Sequence, residues 1–286
     1  MIYWFIRGLA GVLRLLPRSW ALAFGRALAM TLYLVFPLRQ AEARRNIARA
    51  FPELSTSRRR AILRGTYRHF CQALIDFIRM PGYSVERLPQ LVHLDEDRIG
   101  AVRESGQGLV LVTGHLGNWE VANLILGRLG YPLSGVVVAQ RGSGGRFIDE
   151  VRHDTGAEFI TRKTSTRTML RLLKAGRFLG LVADQDARQR GVWVDFFGQL
   201  SSRPRGGAVF SIQMEVPIYF ATCIMDADRH YHVEFKAIDS SNLPADKAAA
   251  VQELTQRYTT ELEKMIRRYP EQYFWFHRMW KTKPPA

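Results

Sequence analysis

The sequence predicts an α/β fold in which a mostly parallel central sheet is flanked by helices. Apolar runs of strand length recur along the 286-residue chain, and helical patterns separate the earlier runs. The strand runs lie at 108–113, 134–139, 157–161, 178–183, 192–197, 216–224 and 231–238. Helices are predicted at 40–50, 55–80, 118–129, 145–155, 166–175 and 245–268. The later strand runs follow one another closely, which predicts a mixed or antiparallel far edge of the sheet.

The composition indicates one globular domain with appended helices. A hydrophobic content of 47% excludes a mainly disordered protein, and the net charge of +15 indicates an anionic partner. Nucleic acid, an acidic membrane surface and an acidic protein all fit that charge. A basic nucleic-acid-binding protein is therefore an alternative function, but we expect no nucleic acid partner, because the motifs of nucleic-acid-binding folds are missing. The spacing of Cys71 and Cys223 argues against a zinc site or a disulfide framework, and we expect neither a metal nor a cofactor.

Residues 1–38 are predicted to form a membrane anchor or an interfacial helix. Arg7, Arg14 and Arg18 fall within a narrow stripe of one helix, opposite apolar positions. The stretch 19–38 carries one charged residue and is long enough to cross a hydrocarbon layer of about 30 Å. Crossing the membrane, lying on it, and packing on the core as a soluble hairpin are all open. A cluster of arginines at 39–79 favours a cytoplasmic position for the rest of the chain.

The stretch LVLVTGHLGNWE at 109–120 is the strongest candidate for a catalytic site. Five residues separate His115 from Glu120, which on a continuous helix places their side chains about 140° apart. If a loop follows the strand and Asn118 caps the next helix, the carboxylate can turn back toward the imidazole. A histidine–carboxylate pair of this kind is suited to general-base catalysis. A capped helix beside an incidental loop histidine gives the same pattern.

This stretch, with its H-x4-E signature, resembles the lysophospholipid/glycerolipid acyltransferase superfamily, and specifically its lipid A biosynthesis (late, secondary) acyltransferase branch. Four further blocks agree with that branch in order and spacing, and the resemblance covers essentially the whole chain. They are FITRK at 159–163, LVADQD at 181–186, VWVDFFGQLSSRPRGGA at 192–208 and PEQYFWFHRMWKTKP at 270–284.

The resemblance implies that residues 39–286 form an acyltransferase domain on the cytoplasmic face of a bacterial inner membrane. Its members move a fatty acyl chain from acyl carrier protein to a hydroxyl of a lipid A precursor or a related glycolipid. Another acceptor, such as a phosphatidylinositol mannoside, an ornithine lipid or a lysophospholipid, would leave the same motif. The identity of the acceptor and the acyl chain length are not encoded in any motif.

Under this resemblance His115 is the general base and Glu120 is its orienting partner. The thioester carbonyl requires positive charge or N–H donors where its oxyanion develops. Arg162 in FITRK is our candidate, and the backbone at the start of helix 118–129 is a second source. Asn118 is a candidate substrate contact as well as a cap. Arg162 could instead be an ordinary surface arginine.

Two further pairs are candidate substrate-binding residues. Asp184 and Asp186 follow a strand, and the resemblance implies that they position basic groups or hydroxyls of the acceptor; a divalent metal between them is the alternative. Arg203 and Arg205, ahead of a helix, suit a lipid phosphate or phosphopantetheine, or form a solvated basic loop. The tail aromatics fit an interfacial belt or core packing; they are Trp275, Phe276 and Trp280.

Overall fold

The computed structural model of the chain describes residues 2–95, 97–138, 142–161 and 163–284. Its helices are α1 (Ile2–Leu15), α2 (Arg18–Leu34), α3 (Gln40–Ala50), α4 (Thr56–Arg79), α5 (Asp97–Glu104), α6 (Trp119–Arg128), α7 (Gly142–His153), α8 (Thr166–Lys174), α9 (Gly206–Met214) and α10 (Lys247–Arg268). Its strands are β1 (Val92–Leu94), β2 (Leu109–Thr113), β3 (Leu133–Val137), β4 (Glu158–Thr161), β5 (Phe178–Val182), β6 (Val192–Phe196), β7 (Gln199–Arg203), β8 (Ile218–Met225) and β9 (Tyr231–Ala237).

Seven strands form the central sheet in the order β1-β9-β8-β2-β5-β3-β4. All neighbouring pairs are parallel except β8 and β9, which are antiparallel. The predicted α/β class, with helices around a mostly parallel sheet and a mixed far edge, is therefore confirmed. The run at 192–197 instead forms an antiparallel hairpin of β6 with β7, outside the sheet. Sequence patterns missed β1, β7 and α5.

The geometry of the sheet fixes where a site can form. β2 lies between β8 and β5, and its residues 109–112 are buried because helices cover both faces. Thr113 at the end of β2 is in register with Val182 at the end of β5. The loops that leave these two parallel strands therefore emerge side by side, at the edge where α/β proteins place ligands.

The N-terminal segment folds as two helices that meet at Pro17. Arg18 lies on the second helix, so the predicted single arginine stripe is wrong. Arg7 instead pairs with Glu150, with 3.3 Å between Nη1 and Oε2. Arg14 donates from Nε to the carbonyl of Ile78 at 2.9 Å. Both arginines of α1 are thus exposed but make contacts with the rest of the protein.

Apolar side chains occupy the opposite faces of α1 and α2. We define the outer apolar surface as the exposed residues Trp4, Phe5, Leu9, Val12, Leu15, Trp20, Phe24, Met30 and Leu34. The inner face of α2 packs closely on α4, since a Cβ at Gly25 would lie 3.1 Å from Cγ1 of Ile75. Within the described ranges, no helix joins the length and the hydropathy needed to cross a bilayer. Membrane association and a domain boundary after residue 38 stay predictions.

Candidate active site

The loop after β2 brings a histidine onto a buried carboxylate. The backbone N–H of His115 donates to Oδ2 of Asp184 at 2.8 Å, and ring Nδ1 lies 2.7 Å from Oδ1. Gly114 permits this approach, because a Cβ there would lie 3.2 Å from Oδ2 of Asp184 and 2.7 Å from Cδ1 of Leu262. Both oxygens of Asp184 are thus held by one residue, which fixes the orientation of the imidazole.

Asp184 is ionised although only 1% of its side chain is exposed. Burial alone would raise the pKa of this carboxyl. The imidazole and N–H groups of His115, together with the nearby Arg203 guanidinium, outweigh burial and hold the pKa of Asp184 well below its usual range. The anion therefore keeps the proton of the neutral imidazole on Nδ1, and Nε2 is left with a lone pair.

The Nε2 edge of His115 faces a small polar and aromatic group. Nε2 of Gln185 lies 3.3 Å from Nε2 of His115 and 3.1 Å from Nε2 of His277, so one amide donates to both rings. The rings of Trp119 and His277 lie 4.7 and 4.5 Å from the His115 ring, centroid to centroid. With 16% of its side chain exposed, His115 can be reached by a ligand. Sequence reasoning missed Gln185 and His277, although both lie inside the blocks that carry the resemblance.

The C-terminal tail pairs with the histidine loop and completes this group. Phe274 donates its backbone N–H to the His115 carbonyl, and Gly117 donates to the Gln272 carbonyl, both at 2.9 Å. Trp275 is fully buried and Phe276 is 8% exposed. These two aromatics therefore pack in the core and do not form an interfacial belt. The tail therefore belongs to the wall of the site.

Glu120 does not pair with His115, contrary to the prediction. Its two oxygens accept hydrogen bonds from Arg152 of α7, one of them at 3.1 Å. The cause is helix geometry: Trp119 turns its ring to His115, and the next residue lies about 100° further around α6. The carboxylate that orients the imidazole is Asp184, which sequence reasoning had placed on the substrate.

Asn118 caps α6 as predicted, since its side chain accepts the Val121 N–H at 3.3 Å. It is 4% exposed, and its Nδ2 donates to Ala73 and Tyr231. Its polar atoms are therefore all engaged inside the protein, and the structure contradicts a substrate contact. The backbone N–H groups of residues 119 and 120 precede the first intrahelical bond of α6, and they have no acceptor within the part of the chain that the structure describes.

The other predicted residues have different environments. Asp186 accepts hydrogen bonds from the backbone and hydroxyl of Thr282, at 2.9 and 2.7 Å, so it holds the tail. Its carboxylate does not converge with that of Asp184.

Arg203 has no exposed surface, stacks 4.0 Å above the Phe196 ring and donates to the Asp184 carbonyl. These contacts contradict binding of an external phosphate. Arg205 is exposed and remains a candidate. Arg162 lies outside the described residues.

Comparison with known proteins places this geometry in context. A family model for bacterial lipid A biosynthesis acyltransferases matches residues 1–282. The phosphatidylinositol mannoside acyltransferase of Mycolicibacterium smegmatis is 25% identical over 246 residues, covering 84% of this chain and 79% of that protein. The lipid A biosynthesis palmitoleoyltransferase of Escherichia coli is 22% identical over 249 residues, covering 86% and 80%. These relatives are named for two different glycolipids.

A second histidine beneath the loop predicts how the stability of the protein depends on pH. His69 is buried, and its Nε2 donates to the Gly117 carbonyl at 3.1 Å. Burial lowers the pKa of His69 to about 4, whereas a histidine in the unfolded chain titrates near 6.5. Below about pH 6.5 the unfolded state therefore binds the extra proton first, and stability falls as the pH falls toward about 4.

When the pH is lowered from about 7 to about 5, we expect the free energy of unfolding to fall for both proteins. The fall should be about 2 kcal/mol smaller for His69→Gln than for the wild type. The measurement is the free energy of unfolding from denaturant titrations at the two pH values. His153→Gln, which removes an exposed histidine, is the matched control. Equal acid sensitivity of His69→Gln and the wild type would contradict the assignment.

Proposed function

Because the chain belongs to the bacterial lipid A biosynthesis acyltransferase family, we propose that it transfers a fatty acyl chain from an acyl carrier protein thioester to a hydroxyl of a glycolipid. One observation carries the proposal. His115 is oriented through Nδ1 by the buried anion of Asp184, while its Nε2 faces a ligand-accessible edge. That arrangement is suited to taking a proton from an alcohol.

The proposed reaction uses each of these groups. The acceptor hydroxyl displaces the Gln185 amide from His115 and gives its proton to Nε2 as its oxygen attacks the thioester carbonyl. The imidazolium that forms is stabilised by Asp184. The tetrahedral intermediate collapses with cleavage of the C–S bond, and the departing thiolate receives the proton from Nε2. Backbone N–H groups at the start of α6 are the proposed donors to the oxyanion.

The acceptor is proposed as a glycolipid of the lipid A type. The relatives act on lipid A or phosphatidylinositol mannoside by name, so a hydroxyl on a sugar-bearing lipid is the chemistry they share. Mass spectrometry of lipids from cells that lack the gene tests this directly. A glycolipid that loses one acyl chain would identify both the acceptor and the chain length, and an unchanged lipid profile would count against the proposal.

Mutation can show whether Asp184 or Glu120 is the functional partner of His115. We expect His115→Ala and Asp184→Asn each to lower kcat about 10²- to 10⁴-fold, because a positioned general base typically contributes that much. Glu120→Gln should lose much less, since Glu120 contacts Arg152. Single-turnover transfer of a radiolabelled acyl chain measures the effect. A Glu120→Gln defect larger than that of Asp184→Asn would restore Glu120 as the partner of the base.

We further propose that the outer apolar surface attaches the protein to the cytoplasmic face of the inner membrane. Large exposed apolar patches mark membrane or protein contacts, and this one covers two neighbouring helices. Trp4, Phe5 and Leu15 are among its most exposed members, at 70%, 73% and 88%. The arginines of α1 are engaged by Glu150 and the Ile78 carbonyl, so buried apolar area is the main source of the proposed affinity.

Replacing Trp4, Phe5 and Leu15 together by Ser should lower binding to phospholipid vesicles about 10-fold or more, because burial of apolar area drives the proposed attachment. Vesicle flotation measures the bound fraction. Leu200→Ser, at an exposed apolar residue of β7, is the matched control. About 1 M salt should release little wild-type protein, because salt screens charges and leaves apolar burial intact. Full release by salt, or wild-type flotation of the triple variant, would contradict this mode of attachment.

The donor is proposed to dock on α4. Arg58, Arg60 and Arg64 are exposed there, whereas Arg59 donates to the carbonyls of Phe51 and Pro52. Acyl carrier proteins are strongly acidic, and complementary charge accelerates encounter. The proposal is therefore that these three arginines steer the carrier and have no part in the chemical step.

The triple variant Arg58→Glu, Arg60→Glu and Arg64→Glu should lower kcat/KM for the carrier-bound donor about 10-fold at low salt. It should also flatten the dependence of kcat/KM on salt between about 50 and 300 mM, with kcat at saturating donor unchanged. The matched control reverses the exposed Arg167, Arg171 and Lys174 of α8. Equal effects of the two triple variants, or a collapse of kcat, would remove the docking role from α4.

A further inference from the structure

The N-terminal helix α2 is joined to the interior by a buried ion pair. Arg18, its first residue, donates to both oxygens of Asp76 in α4, at 3.0 Å from Nε and 2.7 Å from Nη2. The exposed fractions are 18% for the Arg18 side chain and 1% for that of Asp76. A bidentate pair of arginine and carboxylate adds fixed geometry to charge. The start of α2 is therefore held in one orientation against α4.

The same carboxylate extends the connection to β9. The hydroxyl of Tyr231 donates to Oδ2 of Asp76 at 2.9 Å, and the tyrosine is 1% exposed. Burial raises the pKa of Tyr231 well above its ordinary value, so the hydroxyl keeps its proton and remains a donor. Arg18 also donates from Nη1 to the Arg229 carbonyl at 2.7 Å. One guanidinium thus fixes both Asp76 and the turn that leads into Tyr231.

The connection ends at the loop that carries the proposed base. Nδ2 of Asn118 donates to the Tyr231 hydroxyl at 3.3 Å, and Asn118 follows His115 by three residues. Gly117 between them has φ +64°, and a Cβ there would lie 1.9 Å from the Cys223 carbonyl oxygen. The loop has no room to shift toward β8, so its position depends on its polar contacts.

We infer that Arg18 is a positioning residue for His115, acting through Asp76, Tyr231 and Asn118. The inference rests on the proposed acyl transfer. It makes α2 part of the apparatus that places the base, in addition to its proposed contact with the membrane. A purely structural ion pair between α2 and α4 would affect stability and leave the loop at 114–118 unchanged.

Tyr231→Phe is the decisive variant, because it removes only the hydroxyl that links Asp76 to Asn118 and leaves the ion pair intact. Arg18→Met breaks the connection at its other end. Arg26→Met removes an exposed arginine from the same helix and is the matched control. Vesicle flotation of all three variants should match the wild type, so that any loss of activity is not a loss of membrane binding.

We expect Tyr231→Phe and Arg18→Met to lower kcat about 10- to 100-fold with little change in KM for the donor, because small misplacements of a catalytic group cost rates of this order. Arg26→Met should keep wild-type kcat. Amide hydrogen exchange of the full-length protein at residues 114–118 needs no substrate. It should be about 10-fold faster in Tyr231→Phe and Arg18→Met than in Arg26→Met.

Wild-type kcat or wild-type exchange at 114–118 in Tyr231→Phe would overturn the inference. If Arg18→Met does not fold, Arg18→Lys takes its place, because lysine keeps a positive charge beside Asp76 but cannot reproduce the bidentate contact, and the same changes in kcat and exchange are expected. If the wild type transfers no acyl chain, the proposed function fails, and the exchange measurement still decides whether Arg18 sets the loop. The two failures are thereby distinguishable.

Discussion

A buried carboxylate must be given positive charge and N–H donors, and the arrangement of the site follows from how the chain supplies them to Asp184. The loop after β2 supplies two N–H groups from His115, and β7 supplies the guanidinium of Arg203. Removing one partner from such a buried charged group typically costs about 3–5 kcal/mol, because the remaining charge is left uncompensated. The geometry of the candidate site and the folding of this sheet edge are therefore not separable. A chain that misplaces the histidine also leaves an unpaired anion in its core.

Much of the fold was predictable because its signals are local. The apolar run of β2 and the Asn118 cap of α6 lie within one continuous stretch, and both are present in the structure. β7, with the sequence QLSSR, has no apolar run, and β1 has only three residues, so neither gives a strand pattern. These two strands are formed because neighbouring strands supply their hydrogen bonds.

His115, the proposed base, was predictable for the same local reason, and its carboxylate partner was not. Glu120 lies five residues from His115 along the chain, whereas Asp184 is 69 residues away and is brought to it by the pairing of β2 with β5. Charge patterns likewise did not reveal that Arg203 is buried, since an arginine in a polar stretch usually lies at the surface. The adjacency of the two strand ends was the one available clue, because loops after neighbouring parallel strands converge.

The pairing of the C-terminal tail with the histidine loop sets the order in which the site is completed during synthesis. A chain is synthesised from its N-terminus, and a domain folds as a unit once its parts have emerged. The first helices, α1 and α2, emerge before any part of the site, and the loop with His115 precedes Asp184. The strand-like contact of Tyr273 with Leu116, and His277 beside the base, come later than either. The apolar N-terminal helices of a nascent chain are therefore synthesised well before the C-terminal tail that completes the candidate site. Under the proposed function, contact of these helices with a membrane would precede completion of the site.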